Sequence, residues 1–150
     1  MTLMALTYTD IEKTASALVE YWKGRGMTHD RAFAYVYLRG GHVKDVVSDT
    51  FYLYYERERL VGLVAFVVYH GGVGEIRDEI LFPWFSGEGY FRRMIGEVVK
   101  KAKDAKLRKV YSLALEMRVA DYEALGFKKE GVLEDHFKEG EDLTIVSKFF

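Results

Sequence analysis

The chain has 150 residues, 49% of them hydrophobic and 15% aromatic, enough to bury the core of one domain. A formal net charge of -1 supplies no electrostatic pull towards nucleic acid or an anionic membrane, so neither is expected as a partner. With no cysteine, the sequence excludes disulfides, zinc thiolates and a cysteine nucleophile. It also lacks asparagine and glutamine, which together with 30% charged residues suggests a source living hot, where deamidation-prone amides are avoided.

Met1 to Leu6 has neither the length nor the basic leader of a signal peptide. The longest apolar run, Leu60 to Tyr69, is about half of a membrane helix, so a cytoplasmic location is expected. Thr9-Asp10-Ile11-Glu12 reads as a capping box, and Ile11, Ala15, Leu18, Val19 and Trp22 then recur at helical spacing until Gly24 and Gly26. A second helix is expected over Asp30 to Arg39, stopped by Gly40-Gly41. Thr50 to Glu56 and Leu60 to Tyr69 are rich in aromatic and β-branched residues and read as a hairpin. After a loop at His70 to Gly74, a third strand covers Glu75 to Phe82.

Pro83 ends that strand, and a loop holding Gly87 and Gly89 opens into a helix from Tyr90 to Lys106. Phe91, Met94, Ile95, Val98, Ala102 and Ala105 form its apolar stripe. Lys109 to Leu115 is again a strand, so strand, helix and strand make a right-handed parallel crossover. A short helix near Val119 to Leu125 and two strands, Phe127 to Leu133 and Leu143 to Phe149, close the chain. The expected class is α/β (α+β): one domain over residues 1–150, with a mixed, mostly antiparallel sheet of about six or seven strands and about four helices.

Two segments carry chemistry. Leu81-Phe82-Pro83-Trp84-Phe85-Ser86-Gly87-Glu88-Gly89-Tyr90 can present backbone N–H groups beside a helix N-terminus, a cradle for phosphate. Downstream stands Tyr122-Glu123-Ala124-Leu125-Gly126-Phe127. With the strand start Leu60-Val61-Gly62 and the closing Gly126 to Val132, these segments resemble the GNAT superfamily of N-acetyltransferases over Asp49 to Phe150. The resemblance implies acetyl-CoA as cosubstrate. The cofactor would be bound by Leu81, Phe82, Ser86, Gly87, Glu88, Gly89, Tyr90, Phe91 and Arg92, with its pyrophosphate on Gly87, Gly89 and nearby backbone N–H groups and its pantetheine arm between two splayed strands. An amine, of a small molecule or of a protein N-terminus, would attack the thioester directly. Tyr122 would protonate the departing thiolate, a role that suits a phenol with an ordinary pKa of about 10.

The loop departs from the family pattern, Arg or Gln followed two residues later by Gly-x-Gly or Gly-x-Ala. One register puts Ser86 at the Arg/Gln position, Gly89 at the motif glycine and Phe91 where a small residue is usual. The other keeps Gly87 and Gly89 as the glycines and puts Trp84 at the Arg/Gln position. Glu88 adds negative charge to a loop meant for anions, and Arg92 and Arg93 can offset it. Phe91 continues the stripe of Met94 and Val98, so core packing is its first expectation. The segment from Lys109 to Tyr122 is shorter than the family's, and the asparagine often found before the short helix is absent.

For the general base, Glu75, Asp78, Glu79 and Glu116 are the candidates, with Glu79 the first choice. Strict alternation places Glu75 and Glu79 on one face and Ile76, Asp78 and Ile80 on the other; a bulge would switch the parity beyond it. His29, His42, His70 and His136 lack ligand spacing, and no metal is expected. Tyr35, Tyr37, Tyr52, Tyr54 and Tyr55 are candidates to line an acceptor pocket. The leading expectation is an acetyl-CoA-dependent N-acetyltransferase. The runner-up is a domain of the same fold with impaired acyl-CoA binding, serving as a binding or structural module; a homodimer that completes the acceptor site is a third.

Overall fold

The computed structural model describes residues 2–39, 46–85, 87 and 89–150. Ser86, Glu88, His42 and the Gly40-Gly41 helix stop lie outside the described residues. In chain order come β1 (Thr2–Ala5), α1 (Ile11–Gly24), α2 (Arg31–Arg39), β2 (Val46–Glu56), β3 (Arg59–Tyr69) and β4 (Val73–Leu81). They are followed by α3 (Tyr90–Asp104), β5 (Lys109–Leu115), α4 (Glu116–Ala124), β6 (Lys128–Lys138) and β7 (Glu141–Phe149). The strands form a 7-stranded sheet in the order β1-β2-β3-β4-β5-β7-β6, and β4 with β5 is its parallel pair. No helix among the described residues is long and apolar enough to cross a membrane.

The expected class stands, with local differences that have physical causes. β1 is a largely exposed edge of four residues, too short to show a period. The capping box sits a few residues earlier than expected: Thr7 donates its hydroxyl to the Asp10 carboxylate at 2.6 Å and its N–H to the same oxygen at 3.3 Å. The third helix stops at Asp104 because Lys106 turns left-handed (φ 54) and Leu107 N–H reaches back to the Ala102 carbonyl at 3.1 Å. α4 begins at Glu116, directly after β5, with Leu115 as its N-cap. That loop-free junction accounts for the short segment before Tyr122.

Apolar side chains cover both faces of the sheet. Val64, Phe66, Ile76, Val110 and Ala114 pack under α3 residues Phe91, Met94, Ile95 and Val98. On the opposite face Leu53, Leu63, Ala65 and Ile80 meet Ala15, Leu18 and Trp22 of α1 and Ala34 and Leu38 of α2. β3 is therefore buried on both sides, which explains its unbroken apolar run.

β4 does two things that shape the site. Leu63 pairs with Ile80 but Ala65 with Arg77, so β4 holds one residue more than β3 across that step. Asp78 takes up the surplus at φ 53, a bulge that turns every later side chain to the other face. β4 pairs with β5 from Val73–Lys109 to Ile76–Ser112 and no further. β4 then stays with β3 and β5 with β7, and the two parallel strands part.

At the far end of β4, Gly62 lies so close that a Cβ there would stand 2.3 Å from the Ile80 carbonyl oxygen. Backbone cannot yield as a flexible side chain does, so Gly62→Ala is expected to cost about 1–3 kcal/mol. The check is a Tm several degrees below that of the unaltered protein.

Candidate active site

The parting of β4 and β5 leaves a cavity of about 390 Å³. Glu79, Ile80 and Leu81 line it from β4, Leu113 and Leu115 from β5, and Met117 and Arg118 from α4. Phe91 closes it beneath α3, and Tyr21, Trp22, Arg25 and Tyr37 stand across from α1, its C-terminus and α2.

At its base three elements converge on one carboxylate. The Tyr122 hydroxyl of α4 donates to Glu79 Oε1 at 2.5 Å, and the Ser112 hydroxyl of β5 donates to the same oxygen at 2.8 Å. The bulge makes this meeting possible. Without it Glu79 would face α1 and α2; with it Glu79 shares the Ile76 face, and Ile80 packs against α1 and α2 instead. Tyr122 is fully buried, its ring edge-on to Phe91 at 5.6 Å and to Phe127 at 4.9 Å.

Burial pushes the Glu79 carboxyl above its ordinary value, and the nearby Asp78 charge adds to this. The hydrogen bonds from Tyr122 and Ser112 pull it partly back by favouring the carboxylate. Burial also pushes Tyr122 well above the ordinary phenol range, and the Glu79 charge and hydrogen bond raise it further. Tyr122 is therefore a protonated donor at any neutral pH. Tyr37 is raised by burial and by the Asp78 carboxylate, Tyr21 by burial.

The other carboxylates of β4, Glu75 and Asp78, also line the cavity but have different partners. Glu75 accepts a hydrogen bond from the Tyr69 hydroxyl, and Asp78 pairs with Arg77 at 3.7 Å. Glu116 is exposed at the start of α4. Among the tyrosines proposed for an acceptor pocket, Tyr37 lines the cavity. Tyr35 bonds Glu12, Tyr52 and Tyr55 lie under Lys101 and Lys13, and Tyr54 is buried in the core.

The loop before α3 holds the cofactor-binding candidates. Phe82 is buried on the α1 side, and its N–H bonds the Val61 carbonyl at 3.0 Å. Gly87 N–H turns back to the Phe85 carbonyl at 2.8 Å, so neither N–H points out of the loop in this conformation. Gly89 caps α3 at φ 77, a left-handed conformation that favours glycine. The first N–H bonded within the helix is that of Arg93, to the Gly89 carbonyl at 3.0 Å. Those of Tyr90, Phe91 and Arg92 precede it and have no helical acceptor, the arrangement that receives anions.

The side chains divide less simply. The Arg92 guanidinium is held by Asp121 of α4 at 2.7 Å, away from a compensating role in the loop. Arg93 stacks on the Tyr90 ring at 4.5 Å and reaches within 3.1 Å of where a Gly89 Cβ would stand. Trp84, the other candidate for the Arg/Gln position, stacks on Phe82 at 5.2 Å and donates its indole N–H to the Leu60 carbonyl at 3.3 Å. Phe91 is both core and site: 3% exposed, packed with Met94 and Val98, yet touching Tyr122 and lining the cavity.

Two contributors escaped the sequence reading. Ser112 had a signal, since it is the polar member of the alternating buried positions Val110, Ser112 and Ala114. Arg118 had none; its guanidinium lies over the Phe91 ring at 4.3 Å and pairs with Asp121 at 3.4 Å. Among the described residues no three histidines, aspartates or glutamates gather as a metal site.

A mixed seven-stranded sheet, opened between its two parallel strands above a helix N-terminus, defines an acyltransferase-type architecture. The sequence profile of the Acetyltransferase (GNAT) family matches residues 13–127, and the chain belongs to that family. No curated protein matches it significantly by sequence. Solved structures share the fold. The spermidine N-acetyltransferase of Vibrio cholerae, in complex with CoA and spermine, superposes with a TM-score of 0.77 at 20% identity, over 99% of this chain and 94% of that one. An aminoglycoside 6'-N-acetyltransferase complexed with coenzyme A gives 0.75 at 12% identity, over 99% and 97%. The ribosomal-protein-alanine N-acetyltransferase of Brucella melitensis gives 0.74 at 14% identity, over 100% of both chains.

The raised Glu79 pKa fixes the sign of a pH effect. The folded protein holds this proton more tightly than the unfolded chain, so the stability it contributes is complete below the ordinary carboxyl value of 4.5. That contribution is lost as pH rises through the folded pKa. A glutamine carbonyl accepts the same two hydroxyls and carries no charge. Glu79→Gln is therefore expected to gain Tm relative to the unaltered protein between about pH 4 and about pH 8; an unchanged difference would show that Glu79 titrates normally.

Proposed function

We propose that this protein transfers an acetyl group from acetyl-CoA to a primary amine, by direct attack in a ternary complex. The observation that carries the proposal is the Glu79–Tyr122 pair at the base of a gap between two parallel strands. Beyond Ile76 and Ser112 the facing edges of β4 and β5 have no ladder to each other, which suits an extended thioester arm. The N–H groups of Tyr90, Phe91 and Arg92, which follow Gly89, would receive the pyrophosphate, and Arg93 would supply the nearby positive charge. Leu81 would flank the arm as it enters, and the Phe82 ring would hold the loop from below.

In this reading Glu79 takes a proton from the attacking ammonium and Tyr122 gives one to the thiolate that leaves. Tyr122 can serve because its raised pKa keeps it protonated, and its burial keeps water from competing for the thiolate. The acceptor would enter between Tyr21, Trp22 and Tyr37, which line the cavity together with the carboxylates of β4. Aromatic faces and carboxylates both favour an ammonium. The amine acceptors named for the superposed Vibrio and aminoglycoside enzymes agree in chemical class.

Acetyl-CoA at a hundred times its Kd is expected to stabilise the fold by about 2.7 kcal/mol, read as a rise in Tm. Tyr122→Phe should keep that rise while lowering kcat by about 10²-fold or more. Absence of any shift with acetyl-CoA or CoA would favour a binding module of the same fold.

A further inference from the structure

Glu79 Oε1 is an unusual meeting point because it accepts two hydroxyl protons, from Ser112 and from Tyr122, at 2.8 Å and 2.5 Å. The two donors come from different elements, and both are fully buried. Ser112 is the last residue of β5 paired with β4 before the strands part, so its position is tied to the ladder. The proposed acid and base are thus in direct contact, with no space between them for a water.

We propose, on the basis of the acetyl-transfer reading, that Ser112, Glu79 and Tyr122 form one closed proton circuit, in which Ser112 is a positioning residue that holds the carboxylate against Tyr122. The steps balance as follows. The acceptor ammonium gives one proton to the Glu79 carboxylate, and the free amine adds to the thioester carbonyl. As the C–S bond breaks, its electron pair leaves with sulfur and the thiolate takes the Tyr122 proton. The Glu79 carboxyl then returns its proton to the tyrosinate, which restores both groups. The second nitrogen proton passes to water, so each turnover yields amide, CoA thiol and one released proton.

The direction of the hydrogen bond makes the order of events chemical. While Glu79 is ionised, the Tyr122 proton points at the carboxylate. Once Glu79 is protonated it no longer draws that proton so strongly, and the phenol is free to turn towards sulfur. Around Glu79 stand Asp78 on its own strand, Tyr21 of α1, Tyr37 of α2, and Tyr122 and Arg118 of α4. Among these, Tyr122 shares with Ser112 the oxygen that accepts.

The test is a double-mutant cycle with a companion titration. Glu79→Gln and Tyr122→Phe should each lower kcat by about 10²-fold, and the double variant by about the same factor, whereas independent groups would multiply to about 10⁴. In the ligand-free protein, the carbon-13 signal of the Glu79 carboxyl, identified by its loss in Glu79→Gln, should titrate at higher pH in Ser112→Ala, because a donor to the carboxylate is gone. Ser112→Thr should restore it. The acid limb of the kcat profile should move the same way, with KM little changed. Multiplicative losses with an active wild type, or a Glu79 titration unmoved by Ser112→Ala, would overturn the circuit alone. A wild type without turnover on any amine would overturn acetyl transfer and the circuit with it.

Discussion

Between Leu63 and Ala65 of β3 the neighbouring strand carries one residue more, and Asp78 absorbs it in a left-handed conformation. That local irregularity costs backbone energy, since an L-residue at φ 53 is disfavoured by about 1 kcal/mol or more. In exchange the strand changes which face it shows on either side of one position. Ile76 and Glu79 come to lie under α3 and α4, while Ile80 goes to α1 and α2. A regular strand would keep Ile76 and Ile80 in one core and leave Glu79 on the opposite face from Tyr122. The ladder between β4 and β5 ends at Ile76, just before this bulge, so the gap opens beside the point where the strand changes face.

The environment around that carboxylate is held by opposing effects. Burial disfavours its charge, while two hydroxyl donors favour it. The balance leaves a group whose proton affinity is raised. Phe91 contributes to the burial from α3, with the Arg118 guanidinium laid over its ring. A large aromatic at the helix mouth is thus compatible with the cleft, because its ring turns down into the core and supplies a wall to Tyr122.

The loop before α3 follows a different logic. Gly89 permits the left-handed turn into α3, and the backbone donors of the first helical turn have no acceptor within the helix. Arg92 is drawn away by Asp121, whereas Arg93 packs back over Tyr90 towards Gly89. Among the described residues, the positive charge beside the loop is that of Arg93, in the first turn of α3.

Much of the molecule was legible in the chain itself. The apolar stripe Phe91–Met94–Ile95–Val98, the two-sided apolar run of β3 and the loop-to-helix glycine each follow from a local period or a backbone requirement that one segment contains. Tyr122 and Glu79 could be named as candidates, because a motif and a strand position point to them. Their contact could not. It depends on a bulge that the strand's own residues leave as one of two alternatives, on β5 passing into α4 without a loop, and on Ser112 lying at the last rung of a ladder formed by residues far apart in sequence. The fate of Arg92 likewise turned on Asp121, which lies on a different helix. Periodicity and turn chemistry act between near neighbours, so they can be read along the chain; which side chains meet across elements is settled when packing and register choose one arrangement of the whole sheet.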